Sequence, residues 1–166
     1  FRSVLESVLR RNPNHMGAIH YYIHTVEASP RAERALAPAL RLPQLAPAAG
    51  HLVHMPAHIL ARTGDQAGAA AANAAGAAAD RAYLKTAPPD GFYGMAYYPH
   101  NLHFLVDSEM MQGRLAAARA AAHQVATLLA PHAQMMPMVE SLSTIQTAVL
   151  LRFGLHDEIL ARSEEH

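Results

Sequence analysis

The sequence predicts an all-α fold, and three observations support this prediction. Alanine, which has the highest helix propensity of the amino acids, supplies 35 of the 166 residues. β-Branched residues are sparse, which disfavours strands. Prolines and glycines fall between segments of roughly a dozen residues, the length of ordinary helices. We therefore expect short antiparallel helices in succession.

Several helix ends can be predicted from turn residues. Ser29 is suited to cap a helix in which Pro30 takes the first position, where its missing N–H is no loss. Gly64 and Gly113 suit the left-handed residue that follows a helix, and Asp65 is placed to cap the next one. These signals predict alanine-rich helices over residues 66–83 and 115–129, and we expect the alanine-rich run 67–79 to serve in packing.

Two prolines fall near the histidines discussed below. Pro56 predicts either a helix that begins near His54-Met55 or a kinked one, and in the first case His51 lies on an entering loop. Pro99 can be the first residue of its helix.

Composition excludes several classes of function. Thirteen basic residues balance thirteen acidic ones, and only 16% of the chain is charged, so we expect no nucleic-acid partner and no anionic membrane surface. No apolar run approaches the length of a membrane span. The absence of cysteine excludes disulfides, thiolate metal sites and cysteine nucleophiles. Because the sequence opens at Phe1, we expect a segment of a longer chain; its compartment and oligomeric state stay open.

Helix-ending residues recur at a fixed spacing. Pro13 and Pro47 are 34 residues apart, and Gly64 and Gly113 are 49 apart, which is 34 plus a 15-residue insertion visible around 85–91. This period and the turn Gly64-Asp65-Gln66-Ala67-Gly68-Ala69 resemble the tetratricopeptide repeat (TPR) family. The stretches 20–24, 51–58 and 98–103 also look like a bacterial TPR subgroup with a histidine-rich central region.

The resemblance implies an α-solenoid of stacked antiparallel helix pairs. The expectation is one TPR-like repeat domain over residues 1–166, with about four helix pairs and an insertion near 84–97. In this family the first helix of every pair lines a concave groove. We expect a small-molecule or peptide substrate there, with the insertion residues 92–95 as a lid.

The histidines carry the functional signal. Three segments each present three candidate ligands spaced three or four residues apart, so that each set lies on one helix face. The nine candidate metal ligands are His20, His24, Glu27, His51, His54, His58, His100, His103 and Asp107.

The three sets also match in register. Two pairs are separated by the 34-residue period, and three pairs by the 49-residue period: His20/His54, His24/His58, His51/His100, His54/His103 and His58/Asp107. Neighbouring helices pack about 8–10 Å apart, so side chains in equivalent registers can share an ion. The remaining histidines have no partner at ligand spacing, and we expect them to be packed or solvated: His15, His123, His132, His156 and His166.

Imidazole binds zinc, copper, nickel and iron, and a carboxylate adds charge compensation. Seven histidines with two carboxylates exceed the needs of one tetrahedral ion, which favours a dinuclear centre, with Asp107 or Glu27 able to orient a histidine instead. The nitrogen-rich donor set favours copper or iron, with zinc as a further candidate.

The leading hypothesis is therefore a TPR-like scaffold with a transition-metal centre in its groove, acting as a metal-dependent enzyme, an oxidoreductase before a hydrolase. No residue is identified as catalytic. The alternatives are a metal carrier or sensor, and a TPR peptide-binding module without metal.

Overall fold

The computed structural model describes residues 1–87, 91–132 and 144–163, without the side chains of 162 and 163. The all-α prediction is confirmed, since every regular element in these ranges is helical. The α-helices are α1 (Arg2–Arg11), α2 (Met16–Val26), α3 (Leu36–Ala39), α4 (Leu42–Leu45), α5 (Gly50–His54), α6 (Pro56–Arg62), α7 (Gln66–Leu84), α8 (Phe92–Met111), α9 (Leu115–Leu129), α10 (Ile145–Arg152) and α11 (His156–Ser163). Short 3₁₀ helices cover Ala32–Ala35 and Ala130–His132.

The glycine turns form as the sequence predicts. Gly64 has a φ of +92°, and the Asp65 N–H reaches back to the Leu60 carbonyl at 2.9 Å, which closes the end of α6. The Asp65 carboxylate then accepts a hydrogen bond from the Gly68 N–H at 2.8 Å and caps α7. Gly113, with a φ of +72°, ends α8 in the same way before α9.

The region after α2 differs from the prediction. Pro30 lies in a turn, and Ser29 accepts a hydrogen bond from the Arg31 N–H instead of capping an α-helix. Residues 32–45 then form only short helical segments. Pro38 and Pro43 lack the N–H that a continuous helix requires, and this explains why no long helix forms here.

The prolines near the histidines have different effects. Met55 separates α5 from α6, with Pro56 at the start of α6, so the helical run is interrupted there. His51 lies within α5 and not on an entering loop. Pro99 lies inside α8, so the expectation that it begins a helix was wrong.

Part of the expected insertion is helical. Helix α8 begins at Phe92, so residues 92–97 are helical and do not form a lid loop; residues 88–90 lie outside the described residues. The Tyr93 ring packs 5.0 Å from that of Tyr83 on α7, and its hydroxyl donates a hydrogen bond to Asp80 at 2.7 Å. These contacts hold the first turn of α8 against α7.

Helix α7 lies at the centre of the helix packing. It contacts α5, α6 and α8, while α8 also contacts α9, and α9 contacts α10. One apolar cluster joins α1 and α2 to the segments up to α6, and a second joins α8, α9 and α10. Helices α2, α5, α6 and α8, which carry the candidate ligands, meet between these two clusters.

Within residues 1–87, 91–132 and 144–163, no helix combines the length and the apolar character needed to cross a bilayer.

Candidate metal centre

Seven of the nine candidate ligands meet in one cluster. Three sets of three ligand atoms each lie within 4.8 Å of one another: His20, His24 and His51; His51, His54 and His100; and His24, Glu27 and His58. We call these seven residues the histidine cluster. Because His24 and His51 each belong to two sets, the three sets form one continuous array.

The spacing of the ring nitrogens suits ligands of a common ion. The Nε2 atom of His54 lies 2.9 Å from Nε2 of His58 and 3.1 Å from Nε2 of His100. The Nε2 atoms of His20 and His51 lie 3.1 Å apart. Two nitrogens bound at about 2.05 Å to one ion are about 2.9 Å apart at a right angle and about 3.3 Å apart at a tetrahedral angle. Little movement is needed to bind an ion.

A chain of hydrogen bonds fixes the tautomer of His54. The Ser108 hydroxyl donates to the Phe104 carbonyl at 2.9 Å and therefore accepts from the Asn73 amide nitrogen at 3.2 Å. This orientation leaves the Asn73 oxygen to accept from Nδ1 of His54 at 2.8 Å. A neutral His54 then has its proton on Nδ1 and a lone pair on Nε2, as a metal ligand requires.

Glu27 holds two further imidazoles. Its carboxylate accepts hydrogen bonds from Nδ1 of His24 at 2.8 Å and from Nδ1 of His58 at 2.6 Å. Burial alone would raise the pKa of Glu27, but the two imidazoles lower it to about 2. The ionised carboxylate directs the Nε2 atoms of both rings away from itself and so orients these ligands.

Burial keeps the inner imidazoles neutral. Desolvation and the neighbouring histidines lower the pKa of His51 to about 3 and that of His100 to about 4. The same causes lower the pKa of His54 well below its ordinary value, and that of His20 is also lowered. Since neutral imidazole is the form that binds metal, these rings are competent donors at neutral pH.

A close approach of α5 to α7 places His54 against Asn73. A Cβ atom on Gly76 would lie 2.7 Å from Cβ of His54 and 2.9 Å from the Gly50 carbonyl oxygen. A Cβ on Gly50 would overlap the Asp80 carboxylate and lie 2.7 Å from the Gly76 carbonyl oxygen. The two glycines therefore allow a helix separation that larger residues would prevent.

Buried polar groups also support the helix that carries His51. Asp80 is fully buried, and its carboxylate accepts hydrogen bonds from Tyr93 and from Asn101, both on α8. Burial raises the pKa of Asp80, while these two donors oppose the shift. This network joins α7 to α8 beside Gly50, the first residue of α5.

Aromatic rings enclose part of the cluster. Phe104 packs against His54, His58 and His100 with ring centroids 5.2, 4.5 and 4.7 Å apart. The Tyr97 ring packs against that of His51, with ring centroids 4.8 Å apart. The inner rings are thereby shielded, while His24 stays exposed and gives solvent access to the cluster.

The remaining two candidates lie outside the three sets. Nδ1 of His103 is 3.8 Å from the carboxylate of Asp107, one helical turn along, and Asp107 is exposed. His103 therefore belongs to none of the three sets, and His100, one turn earlier, is the residue that α8 contributes to them.

Three supporting residues were not identified from the sequence. Asn73 and Asp80 are fully buried polar residues seven positions apart, the first within the alanine-rich run 67–79 and the second directly after it, and that spacing was a usable signal. Ser108 has no such signal, because its role depends on how α7 and α8 pack. The assignment of the whole run to packing was therefore incomplete.

Most histidines set aside as non-ligands lie elsewhere. Nδ1 of His15 caps α2 by accepting from the Ala18 N–H at 3.1 Å. His123 lies on α9 beside a separate cavity of about 160 Å³. His166 lies outside the described residues.

No protein-family model, curated protein or solved structure matches this chain in the comparisons with known proteins. The arguments about function therefore rest on the cluster itself. What the fold provides is an all-α framework with histidine-rich groups that could hold metal ions.

Proposed function

We propose that the histidine cluster binds more than one transition-metal ion and that the chain is a metal-dependent oxidoreductase. The observation that carries the proposal is the array of three overlapping ligand sets, with Nε2 atoms 2.9–3.1 Å apart. Six imidazoles and one carboxylate exceed the coordination of one tetrahedral ion. The TPR-like solenoid remains part of the proposal, supported by the 34-residue spacing.

The polar support around the cluster favours metal over a structural role. Asn73 accepts a hydrogen bond from Nδ1 of His54, and Glu27 accepts hydrogen bonds from Nδ1 of His24 and His58. When both rings are neutral, these hydrogen bonds leave the lone pairs of the facing Nε2 atoms of His54 and His58 directed toward each other at 2.9 Å. A cation between them removes that repulsion and satisfies both atoms.

Copper suits this donor set best among the candidate metals. The donors are almost all imidazoles, and Cu²⁺ stands at the top of the affinity order for such ligands. In the alternative arrangement, an ion replaces the Nδ1 protons of His24 and His58 and is bound by these two nitrogens and the Glu27 carboxylate. Two imidazoles and one carboxylate are the donor set of non-haem Fe²⁺ enzymes, so iron is the second candidate. Zinc is the third.

Metal content tests the centre. Protein produced without a histidine tag is dialysed against Cu²⁺, Fe²⁺ or Zn²⁺ in turn and analysed for bound metal and melting temperature. We expect more than one bound ion per chain and a higher melting temperature, because the ions bind the folded state. His54→Ala should lose most of both effects, whereas His123→Ala, on α9, should retain them. Equal metal content in the two variants would refute the centre.

Redox cycling separates an enzyme from a carrier. The loaded protein is reduced with ascorbate and exposed to air while the metal signal is followed by electron paramagnetic resonance. An oxidoreductase should regain its oxidised signal over repeated cycles with the metal retained. Loss of the metal to a chelator after the first reduction would favour a carrier.

A further inference from the structure

The ligand sets of the histidine cluster differ in their exposure to solvent. His20, His24 and His51, which we call the outer set, include one exposed imidazole and no buried one. His51, His54 and His100, which we call the inner set, include His54, whose surface is fully buried. An ion in solvent can therefore reach the outer set directly, whereas it must pass other residues to reach His54.

His51 belongs to both sets and lies between them. Its ring centroid is 5.1 Å from that of His20 in the outer set and 5.4 Å from that of His54 in the inner set. A neutral imidazole has one ring nitrogen free to accept, so His51 binds one ion at a time. An ion can thus exchange the other outer ligands for the other inner ligands while it stays bound to His51.

A negative charge lies at the exposed end of the cluster. The carboxylate of Glu27 accepts a hydrogen bond from Nδ1 of His24 at 2.8 Å, and it is the one carboxylate of the three sets. This hydrogen bond leaves Nε2 of a neutral His24 free to bind an ion. Because the carboxylate also attracts cations, the outer set combines solvent access with ligands and a favourable charge.

The inner set also borders a cavity, which is less suited to admit an ion. This cavity of about 240 Å³ is lined by His51, Phe92, Ala96, Tyr97 and His100. Apart from the two imidazoles, its walls are two aromatic side chains and a methyl group, and none of these carries a charge. Moving an ion into such surroundings is costly unless ligands accompany it. The outer set is therefore the favoured entrance.

We propose that the outer set captures a metal ion from solvent and that His51 passes this ion to the inner set. The proposal rests on the metal centre proposed above. It gives His20 a role in capturing the ion that the inner set finally holds. Once that ion has moved inward, His20 and His24 are free to hold a second one.

A timed chelator experiment tests this order of binding. The metal-free protein is mixed with one equivalent of Cu²⁺ in a stopped-flow instrument, and excess EDTA is added after increasing delays. We expect the fraction of copper that resists EDTA to grow with the delay, because an ion in the exposed outer set is removed faster than one in the inner set. The rate of this growth is the rate of loading.

Substitutions assign the two steps. His20→Ala should load about tenfold more slowly or worse, since even the loss of a group that orients a ligand weakens metal binding by that much. His54→Ala should bind copper and leave it sensitive to EDTA at every delay, and His100→Ala, at a less buried position, should also lower the resistant fraction. His103→Ala, outside the three sets, and Ala96→Leu, which narrows the cavity, should load as the wild type does.

The outcomes separate the capture step from the metal centre. Loading of His20→Ala at the wild-type rate would overturn the capture step. Slower loading of Ala96→Leu would overturn it as well, because the entrance would then be the cavity. Both results leave the metal centre standing, since copper is still taken up. A wild-type protein that takes up no copper at any delay would refute the metal centre and the capture step together.

Discussion

Helices α7 and α9 are both alanine-rich, and their equivalent positions are 49 residues apart in the sequence. They nevertheless bury different side chains. At three equivalent buried positions α7 has a polar residue or glycine where α9 has an apolar one: Asn73 against Ala122, Gly76 against Val125, and Asp80 against Leu129. Alanine allows close packing in both helices. The difference shows that the site depends on what α7 carries in addition to alanine.

The surroundings of the two helices agree with this contrast. Helix α9 packs α8 and α10 through an ordinary apolar cluster that includes Val125 and Leu129. Helix α7 instead meets His54 through Asn73 and the start of α8 through Asp80. Substitutions that make α7 resemble α9 should therefore damage the histidine cluster, and equivalent changes on α9 should not.

The largest effect is expected at the glycine contact. Gly76→Ala places a Cβ atom 2.7 Å from that of His54, and the backbone of α5 must move to relieve it. We expect the free energy of unfolding to fall by about 1–3 kcal/mol, as overpacked interiors usually show. Urea titration of the metal-free protein measures this change.

Gly17→Ala in α2 is the matched control. A Cβ there would meet only the His15 side chain at 3.6 Å, an ordinary contact. This substitution should raise the free energy of unfolding by up to about 1 kcal/mol, since alanine favours the helix. If both alanines raised stability alike, the close approach of α5 and α7 would not be required.

The next effect is expected at Asn73. Asn73→Ala makes α7 match α9 at this position and removes the acceptor for Nδ1 of His54. We expect the affinity for metal to fall about 10–100-fold, as it does when a group that orients a ligand is lost. Competition with a chelator of known affinity gives the measurement.

Asn73→Asp distinguishes orientation from packing. The carboxylate keeps an acceptor for His54, so this variant should recover much of the metal affinity that Asn73→Ala loses. Gln124→Ala, at an exposed position on α9, should leave the affinity unchanged. Equal weakening by Ala and Asp at position 73 would argue against control of the tautomer.

The sequence predicted α7 and α9 well because their ends have strong local signals. Gly64 with Asp65, and Gly113, terminate and start helices through backbone geometry that needs no tertiary contact. The helices in residues 32–45 and the start of α8 were harder to predict from the sequence. Prolines fragment the former, and the contact between Tyr93 and Asp80 brings the latter into the helix.

The candidate site was likewise predictable from the sequence only in part. Register between repeats is visible in sequence, and it selects the six histidines that the structure brings together, whereas Glu27 was selected by its three-residue spacing from His24. The roles of Asn73 and Ser108 depend on the separation and rotation of α7 and α8, which no local pattern encodes. Register alone also could not show that His103 lies outside the three ligand sets.

The third expected effect is a loss of stability at acidic pH. The pKa values of His51 and His100 are lowered by burial to about 3 and about 4, so the folded protein binds fewer protons than the unfolded chain. The contribution of these neutral imidazoles to the free energy of unfolding of the metal-free protein should be fully present above about pH 6.5. It should be lost as the pH falls toward 4. Urea titrations at pH 7.5, 5.5 and 4.5 measure this loss.

Single substitutions assign the acid effect to the cluster. His100→Gln should reduce the loss of stability between pH 7.5 and 4.5, because one group with a lowered pKa is removed. His123→Gln, on α9, should leave the loss as it is. If the two variants matched, the acid sensitivity would have to arise elsewhere in the chain.

The smallest effect is expected at His103. It shares a register with His54 across 49 residues, but its Nδ1 lies 3.8 Å from Asp107 and outside the three ligand sets. Such an exposed pair contributes little, so His103→Ala should change the free energy of unfolding by less than about 0.5 kcal/mol. Metal stoichiometry, measured by elemental analysis, should equal that of the wild type, while His100→Ala, one turn earlier on α8, should lower it. A loss of bound metal in His103→Ala would mean that α8 turns a second imidazole toward the ions, and the register in the sequence would then describe the site better than the three ligand sets do.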